Sequence, residues 1–542
     1  MKKKLPKVAY FSMEYGLDTA FKAYAGGLGI LAGDYLKGAK DYKYPIIGLG
    51  IKWKQGYTDQ RIDAKGKAYD SYQNNLYPFL KDTGVTVEVN IRKRPVFCKV
   101  WLVDSFGNNP LYLLDTDLPE NEDAWITGQL YGWFGEERIA QEIVLGIGGI
   151  KALRALDIDI DIYHFNEGHP VFAAFELIQE KMKKGMSFDE ALELTKLEVV
   201  FTTHTPIIQG NESHYIDRLM YMGANNGLSR KEIIKLGGNP FNMTVAALRV
   251  SKMSNAVAAL HGETANDMWR SIRRRSEIRS ITNAIHVPTW VDQRILDRAA
   301  ESDLEGIWRY HMDNKGQLID FIASRTGVTL DPDKLLIGFS RRAAPYKRSD
   351  LIFTDPKKIE PLLKKGKVQI VFSGKAHPLD DVGKEIVENL VAMSRKYPNA
   401  VVFLENYDMT IGKMLTRGSD IWLNNPRRPK EASGTSGMKA AMNGCLNLSI
   451  LDGWWPEACI HGTNGWAFGD GKTAEDFEGS DEALDAHDVQ ALYQVLLDEV
   501  IPTYYDHPET WKSMMLSSIS TTREYFDVKR MLEEYYELLY LV

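Results

Sequence analysis

The chain has 542 residues, too many for one hydrophobic core, so two or three domains are expected. With 44% hydrophobic and 26% charged residues it has a globular composition, which excludes a disordered or low-complexity chain. A net charge of −7 and a pI near 6.0 argue against a general nucleic-acid-binding surface.

The first stretch, MKKKLPKVAYFSMEYG, is basic but lacks the apolar region and cleavage site of a signal peptide. No apolar run is long enough to span a bilayer, so a cytoplasmic protein without a membrane partner is expected. Cys98, Cys445 and Cys459 are spaced for neither a disulfide framework nor a zinc site.

In chain order, β-branched apolar runs predict strands at 8–12, 45–51, 87–92 and 198–206, with helices at 141–156 and 170–184. The second half predicts strands at 335–340, 368–374, 400–406, 420–425 and 446–451, separated by helix-length segments. Continuous apolar strands with intervening helices indicate parallel sheets covered on both faces. The expected fold is therefore α/β, with two doubly wound Rossmann-like domains facing a cleft and ligands at strand carboxyl ends. A boundary near 283–295 gives domains of 1–288 and 289–542. The last stretch, TTREYFDVKRMLEEYYELLYLV, predicts an amphipathic helix that packs back on the N-terminal domain.

Several strand ends carry polar motifs. In AYAGGLGILAGDYLKGAK (23–40), Gly26, Gly27 and Gly29 precede a helical segment, an anion-binding arrangement that is weak by itself. GIGG (146–149) imitates a dinucleotide fingerprint, but it lies inside a helical pattern where glycine permits close packing. HFNEGHP (164–170) and FTTHTP (201–206) end strands. His164, Glu167 and His169 have no ligand-pair spacing, so buried hydrogen-bonded histidines are expected and no metal site. RSIRRRSEIR (270–279) reads as a solvated helix face. In GFSRRAAPYKR (338–348), Arg341, Arg342 and Lys347 crowd positive charge at one strand end. Such crowding suits bound anions or, more blandly, a solvated basic loop.

The strongest motif is KEASGTSGMKAAMNG (430–444), between the strand DIWLNN and a helix pattern. Small residues ahead of a helix let backbone N–H groups approach an anion, and Lys439 follows within the first turns. A lysine there suits a Schiff base with pyridoxal phosphate, a plain phosphate contact, or a surface position after a turn.

EASGTSGMKAAMNG, followed by LDGWWPE (451–457), resembles the cofactor-lysine signature of the glycogen/starch phosphorylase family, in its short prokaryotic form. FSMEYG (11–16), GIKWKQGYTDQ (50–60), FSGKAHP (372–378) and FLENYDM (403–409) are similar to family stretches in the same order, from residue 8 to about residue 470. The resemblance implies the glycosyltransferase B architecture and a retaining enzyme that moves α-1,4-glucosyl units from a glucan or maltooligosaccharide onto inorganic phosphate, giving glucose 1-phosphate. It implies that Lys439 holds pyridoxal 5'-phosphate, with Arg341, Thr435, Gly434, Gly27 and Tyr407 around the cofactor. Arg342 and Lys347 would hold the substrate phosphate, and His204 and Glu431 would position the reacting sugar. Asn283, Glu167, Ser433, Gly26 and Leu28 complete the substrate set. Two departures are Ala284, where the family has glycine, and Asp408, where the long animal enzymes have arginine; no role falls on Asp408. A homodimer is expected, along with no AMP-responsive N-terminal extension. The competing readings are a nucleotide-sugar glucan synthase, against which the lysine signature speaks, and a catalytically dead glucan-binding scaffold, against which Lys439, Arg342 and Lys347 together speak.

Overall fold

A computed structural model describes residues 4–542; the first three residues of the basic N-terminal stretch lie outside the described residues. The chain divides into two compact units. The first comprises the chain up to Thr58, Tyr72–Thr282 and Val528–Val542, and the second comprises Asp59–Ser71 and Asn283–Asp527.

In the first unit a nine-stranded sheet runs in the order Glu277–Ser280, Met253–Ala256, Val199–Thr202, Ile162–Asn166, Val8–Phe11, Ile46–Ile51, Leu111–Asp115, Arg94–Val103, Lys81–Ile91. The first seven are parallel and the last two join antiparallel. The parallel strands at the centre are buried on both faces, which is why they read as continuous apolar runs. Lys81–Ile91 alternates exposed and buried residues instead, and only its apolar end, at 87–91, is visible in sequence. The antiparallel hairpin thus departs from the all-parallel expectation. From Val8–Phe11 the chain adds Ile46–Ile51, then the edge strand Lys81–Ile91, and works back inward to Leu111–Asp115; after returning at Ile162–Asn166 it builds the other way to Glu277–Ser280. The order reverses between Val8–Phe11 and Ile162–Asn166.

Residues 136–155 form one continuous helical stretch, with a π-turn at Val144–Gly148. A Cβ on Gly146 would fall 2.6 Å from the Ala173 nitrogen, and one on Gly149 would fall 2.5 Å from the Phe11 ring. The GIGG glycines serve packing. The RSIRRRSEIR segment is not a helix: it turns into the edge strand Glu277–Ser280, whose Ile278 is buried while Glu277 points out. The C-terminal stretch is likewise broken, Pro508–Thr522 ending before Val528–Tyr535 and Tyr536–Tyr540.

The second unit has a six-stranded sheet, parallel throughout, ordered Val401–Leu404, Val368–Ser373, Leu335–Ser340, Ile421–Asn424, Leu446–Ile450, Gly465–Phe468. Leu335, Ile337 and Phe339 enter one apolar cluster and Leu336 enters another, so both faces are covered. Here the order reverses between Leu335–Ser340 and Ile421–Asn424, the switch point outside which such sheets bind ligands. No helix among the described residues is long and apolar enough to cross a membrane.

Candidate functional site

At the switch point of the second unit, the strand Leu335–Ser340 delivers Arg341 and its neighbour Ile421–Asn424 ends on Asn424. Arg341 donates through Nη1 to Asn424 Oδ1 at 3.0 Å and through Nη2 to Glu431 Oε2. Lys347, buried on the short turn Pro345–Lys347, donates Nζ to the same Glu431 oxygen at 2.9 Å. Burial alone would raise the Glu431 carboxyl, but the Arg341, Lys347 and Arg342 charges hold it below the usual range. Arg342 itself is exposed. Asp452, fully buried, accepts the Glu431 backbone N–H at 2.9 Å and that of Gly453 at 2.8 Å. Burial, with the nearby Glu431 carboxylate, pushes Asp452 up to about 7.

The helix Thr435–Met442 follows. Its N-cap, Gly434, sits at φ +86° and offers no side-chain cap to the first turn, where the Gly437 N–H bonds the Gly434 carbonyl at 3.3 Å. The buried Ser433 Oγ has no hydrogen-bond partner. Lys439, 5% exposed, lies with Nζ 3.4 Å from the centroid of the Trp290 ring. Asn443 ties this helix to the Trp290 segment, donating to the Lys439 and Trp290 carbonyls and accepting the Asp292 N–H. Tyr407 packs against the cluster containing Leu404 and Leu415, and the neighbouring Asp408 caps the helix Met409–Gly418 through the Ile411 N–H. Asn283 is buried, with its Oδ1 unpartnered.

A second group of predicted residues lies at the switch point of the first unit. Glu14 accepts the Ala25 and Gly26 N–H groups at 2.7 and 3.1 Å and the Tyr131 hydroxyl at 2.8 Å. This holds the start of the helix Gly27–Asp41, which has no side-chain cap. Leu28 is half-buried, Gly27 is exposed, and a Cβ built on Gly26 or Gly27 would meet nothing within 4 Å. Glu167, at φ +74°, accepts the His204 N–H at 2.9 Å and the Thr205 hydroxyl at 3.1 Å. A non-glycine residue held at positive φ stores strain of the kind that accompanies functional sites. His204 Nε2 lies 2.6 Å from Asn166 Oδ1, and burial next to His261 drives its pKa down to about 3, so the ring is neutral. His164 faces the interior instead, bonded to Tyr540 and Thr202.

Residues 279–538 match the carbohydrate phosphorylase family. Over 589 aligned residues the chain is 39% identical to the maltodextrin phosphorylase of Thermococcus litoralis, spanning 98% of this chain and 70% of that protein. The chain belongs to the carbohydrate phosphorylase family. It is 37% identical to the glycogen phosphorylase of Aquifex aeolicus, over 98% of this chain and 86% of that one. An uncharacterised protein of Methanocaldococcus jannaschii is 39% identical, with 99% of its length covered. This phosphorylase is therefore an enzyme of carbohydrate metabolism.

Four residues of the phosphorylase that hold these groups in place carry no role in the sequence reading: Glu14, Asn166, Asn424 and Asp452. Each is a polar residue at or just past the end of an apolar strand, and that position was the available signal. What each one holds, a backbone N–H or another side chain, is set by folding and leaves no trace in local sequence.

Proposed function

We propose that this phosphorylase acts on α-1,4-glucans, transferring a terminal glucosyl unit to inorganic phosphate with retention and releasing α-glucose 1-phosphate. One observation carries the reading. Arg341 and Lys347 converge on a single carboxylate, Glu431, beside an uncapped helix start that bears the buried Lys439. Two buried cations sharing one acceptor leave positive charge available to an arriving anion. The names of the maltodextrin and glycogen phosphorylases among its relatives agree with this substrate class.

The residues fit pyridoxal phosphate. Lys439 is close to an aromatic face, the unpartnered Ser433 hydroxyl and the uncapped Thr435–Met442 N-terminus offer donors, and Gly434 supplies the positive-φ turn beside Arg341. Lys439 would hold the cofactor, with Arg341, Gly434 and Thr435 toward its phosphate. When bound, the cofactor supplies a second phosphate as acid–base partner to the substrate phosphate.

The chain's own residues bind and orient. Arg342 presents a planar fork, and Lys347 a point charge, to the substrate phosphate. As Lys347 turns to that anion and Arg341 to the cofactor phosphate, Glu431 is freed to accept a hydrogen bond from a sugar hydroxyl, while its N–H stays fixed by Asp452. The phosphate gives a proton to the glycosidic oxygen as the C1–O bond breaks, and one of its oxygens forms the new C1–O bond on the same face. Neutral His204, held through its N–H by Glu167, presents its backbone carbonyl to the carbon that gains positive character. The fold reading that accompanies this is glycosyltransferase B, with each doubly wound unit as one of its domains and a homodimer as the assembly.

The test is direct. Purified protein given maltoheptaose and phosphate should release glucose 1-phosphate, and reduction followed by peptide mapping should place a pyridoxyl group on Lys439. Glucosyl transfer from a nucleotide sugar with no phosphorolysis would replace this reading with a glucan synthase.

A further inference from the structure

In the first unit, a group of side chains remains without a role, with Glu142 and His214 buried and Glu212 partly exposed. Glu142 lies on the helical stretch 136–155, near the end of Glu136–Ile143, while Glu212 precedes, and His214 belongs to, the short ribbon in which Ser213–His214 pairs with Phe241–Asn242. One ligand atom from each of the three falls within 4.8 Å of the others. His214 Nε2 is 3.3 Å from Glu142 Oε2 and 3.6 Å from Glu212 Oε1.

These are not hydrogen bonds. Glu142 is fully buried and His214 is 5% exposed, yet both Glu142 carboxylate oxygens and His214 Nε2 have no hydrogen-bond partner. Two oxygens of one carboxylate and a ring nitrogen from another stretch of chain, all unsatisfied, are costly to bury unless something else occupies the space between them.

Spacing and charge say what fits. Zinc–nitrogen and zinc–carboxylate bonds are about 2.0–2.2 Å, so the ligand atoms at the corners of a zinc tetrahedron stand roughly 3.3–3.6 Å apart. The separations of 3.3 and 3.6 Å lie at that edge length. Arg138 is the cation at hand, with Nη1 3.7 Å from Glu212 Oε2. Its guanidinium also stacks 4.7 Å from the Tyr131 ring centroid and donates to the Trp133 carbonyl, so it is shared. One guanidinium, so divided, stands against the two carboxyls.

We propose that Glu142, Glu212 and His214 bind one divalent transition-metal ion of the zinc class, with a solvent molecule as the fourth ligand. One imidazole and two carboxylates form a donor set that suits such an ion. The ion would join the helix Glu136–Ile143 to the segment that runs from His204 and Thr205 to His214, and so brace the loop that leaves the His204 position. Its role is positioning. A proton shared between the two carboxyls is the competing occupant. The sequence reading expects no metal site, an expectation argued from the spacing of His164, Glu167 and His169; Glu142 stands 70 residues before Glu212 in the chain.

Untagged protein should be stripped with a chelator, dialysed, and titrated with Zn2+ alone, with bound metal counted by elemental analysis. Wild type should take up one equivalent that Glu142→Gln and His214→Gln lose, and zinc should raise the melting temperature of wild type but not of the variants. Co2+ should give the visible absorption of a tetrahedral N/O site in wild type, a readout that does not depend on whether a variant folds. Folded wild type that binds no zinc, a wild-type cobalt spectrum typical of octahedral coordination, or a Glu142→Gln variant that keeps the full equivalent would overturn the proposal. The first of these, with Glu142→Gln melting no lower than wild type, would assign the space to a proton.

Discussion

At the scale of single residues, the second-unit site is a contest for charge. Glu431 is held ionised by Arg341 and Lys347, while the adjacent Asp452 carries no partner cation of comparable weight and is pushed up to about 7. A carboxyl raised from 3.8 to about 7 keeps its proton in the folded state at pH values where the unfolded chain has lost it. Its contribution is therefore unimpaired below the unfolded value and is lost progressively as pH climbs to 7, by up to ~4 kcal/mol, with no further change above. Asp452→Asn removes that titration. Melting curves of both proteins at about pH 5 and about pH 8 should show wild type losing stability relative to the variant at the higher pH. A difference that does not change with pH would mean that Asp452 is ionised throughout. Arg342→Lys keeps the charge but replaces a planar fork by a point donor. We expect kcat/KM for phosphate to fall about a hundredfold or more, with an unchanged melting temperature. Near wild-type phosphorolysis would remove Arg342 from the phosphate site.

At the scale of elements, glycines that look alike in sequence separate by what surrounds them. Gly27 opens a helix, and a Cβ there meets nothing, so Gly27→Ala should leave stability unchanged or raise it by up to ~1 kcal/mol. Because the exposed backbone there is proposed to approach a phosphate, the same change should weaken cofactor or phosphate binding. An alanine variant with full activity would show that no ligand comes close. Gly146→Ala does the opposite, since its Cβ would press on the Ala173 backbone at 2.6 Å and cost about 1–3 kcal/mol in denaturant unfolding, with no special effect on phosphate. The elements were legible where burial is two-sided: Leu335–Ser340 and Val368–Ser373 match their apolar runs almost residue for residue. Legibility failed where a strand faces solvent on one side, as at Lys81–Ile91, and where a charge run enters an edge strand, as at Glu277–Ser280. The helix bearing Lys439 was legible because its small residues and its lysine are local; the carboxylate that fixes the Glu431 backbone was not.

At the scale of the whole molecule, the C-terminal segment Val528–Val542 groups with the first unit, although the chain has by then built all of the second. Its Tyr540 hydroxyl lies 2.6 Å from His164 Nδ1 and also bonds Tyr35, while Tyr535 takes a hydrogen bond from Asn255. Tyr540→Phe leaves those groups without a partner and should destabilise the first unit by about 1–3 kcal/mol. Deleting residues 528–542 removes seven buried side chains (Val528, Met531, Leu532, Tyr535, Tyr536, Leu539 and Tyr540) and should yield insoluble protein. A soluble, cooperatively unfolding truncation would show that the segment is dispensable. The sequence by itself determined the α/β class, the strands buried on both faces and the lysine-bearing helix start, because apolar runs and glycine placement are local consequences of burial and backbone geometry. Only the tertiary structure decided that Glu431 quenches two cations, that Asp452 stands behind it, that the chain's end completes the first unit, and that Glu142, Glu212 and His214 face one another. These depend on residues distant in sequence, whose proximity is set by strand order and packing and by no pattern along the chain.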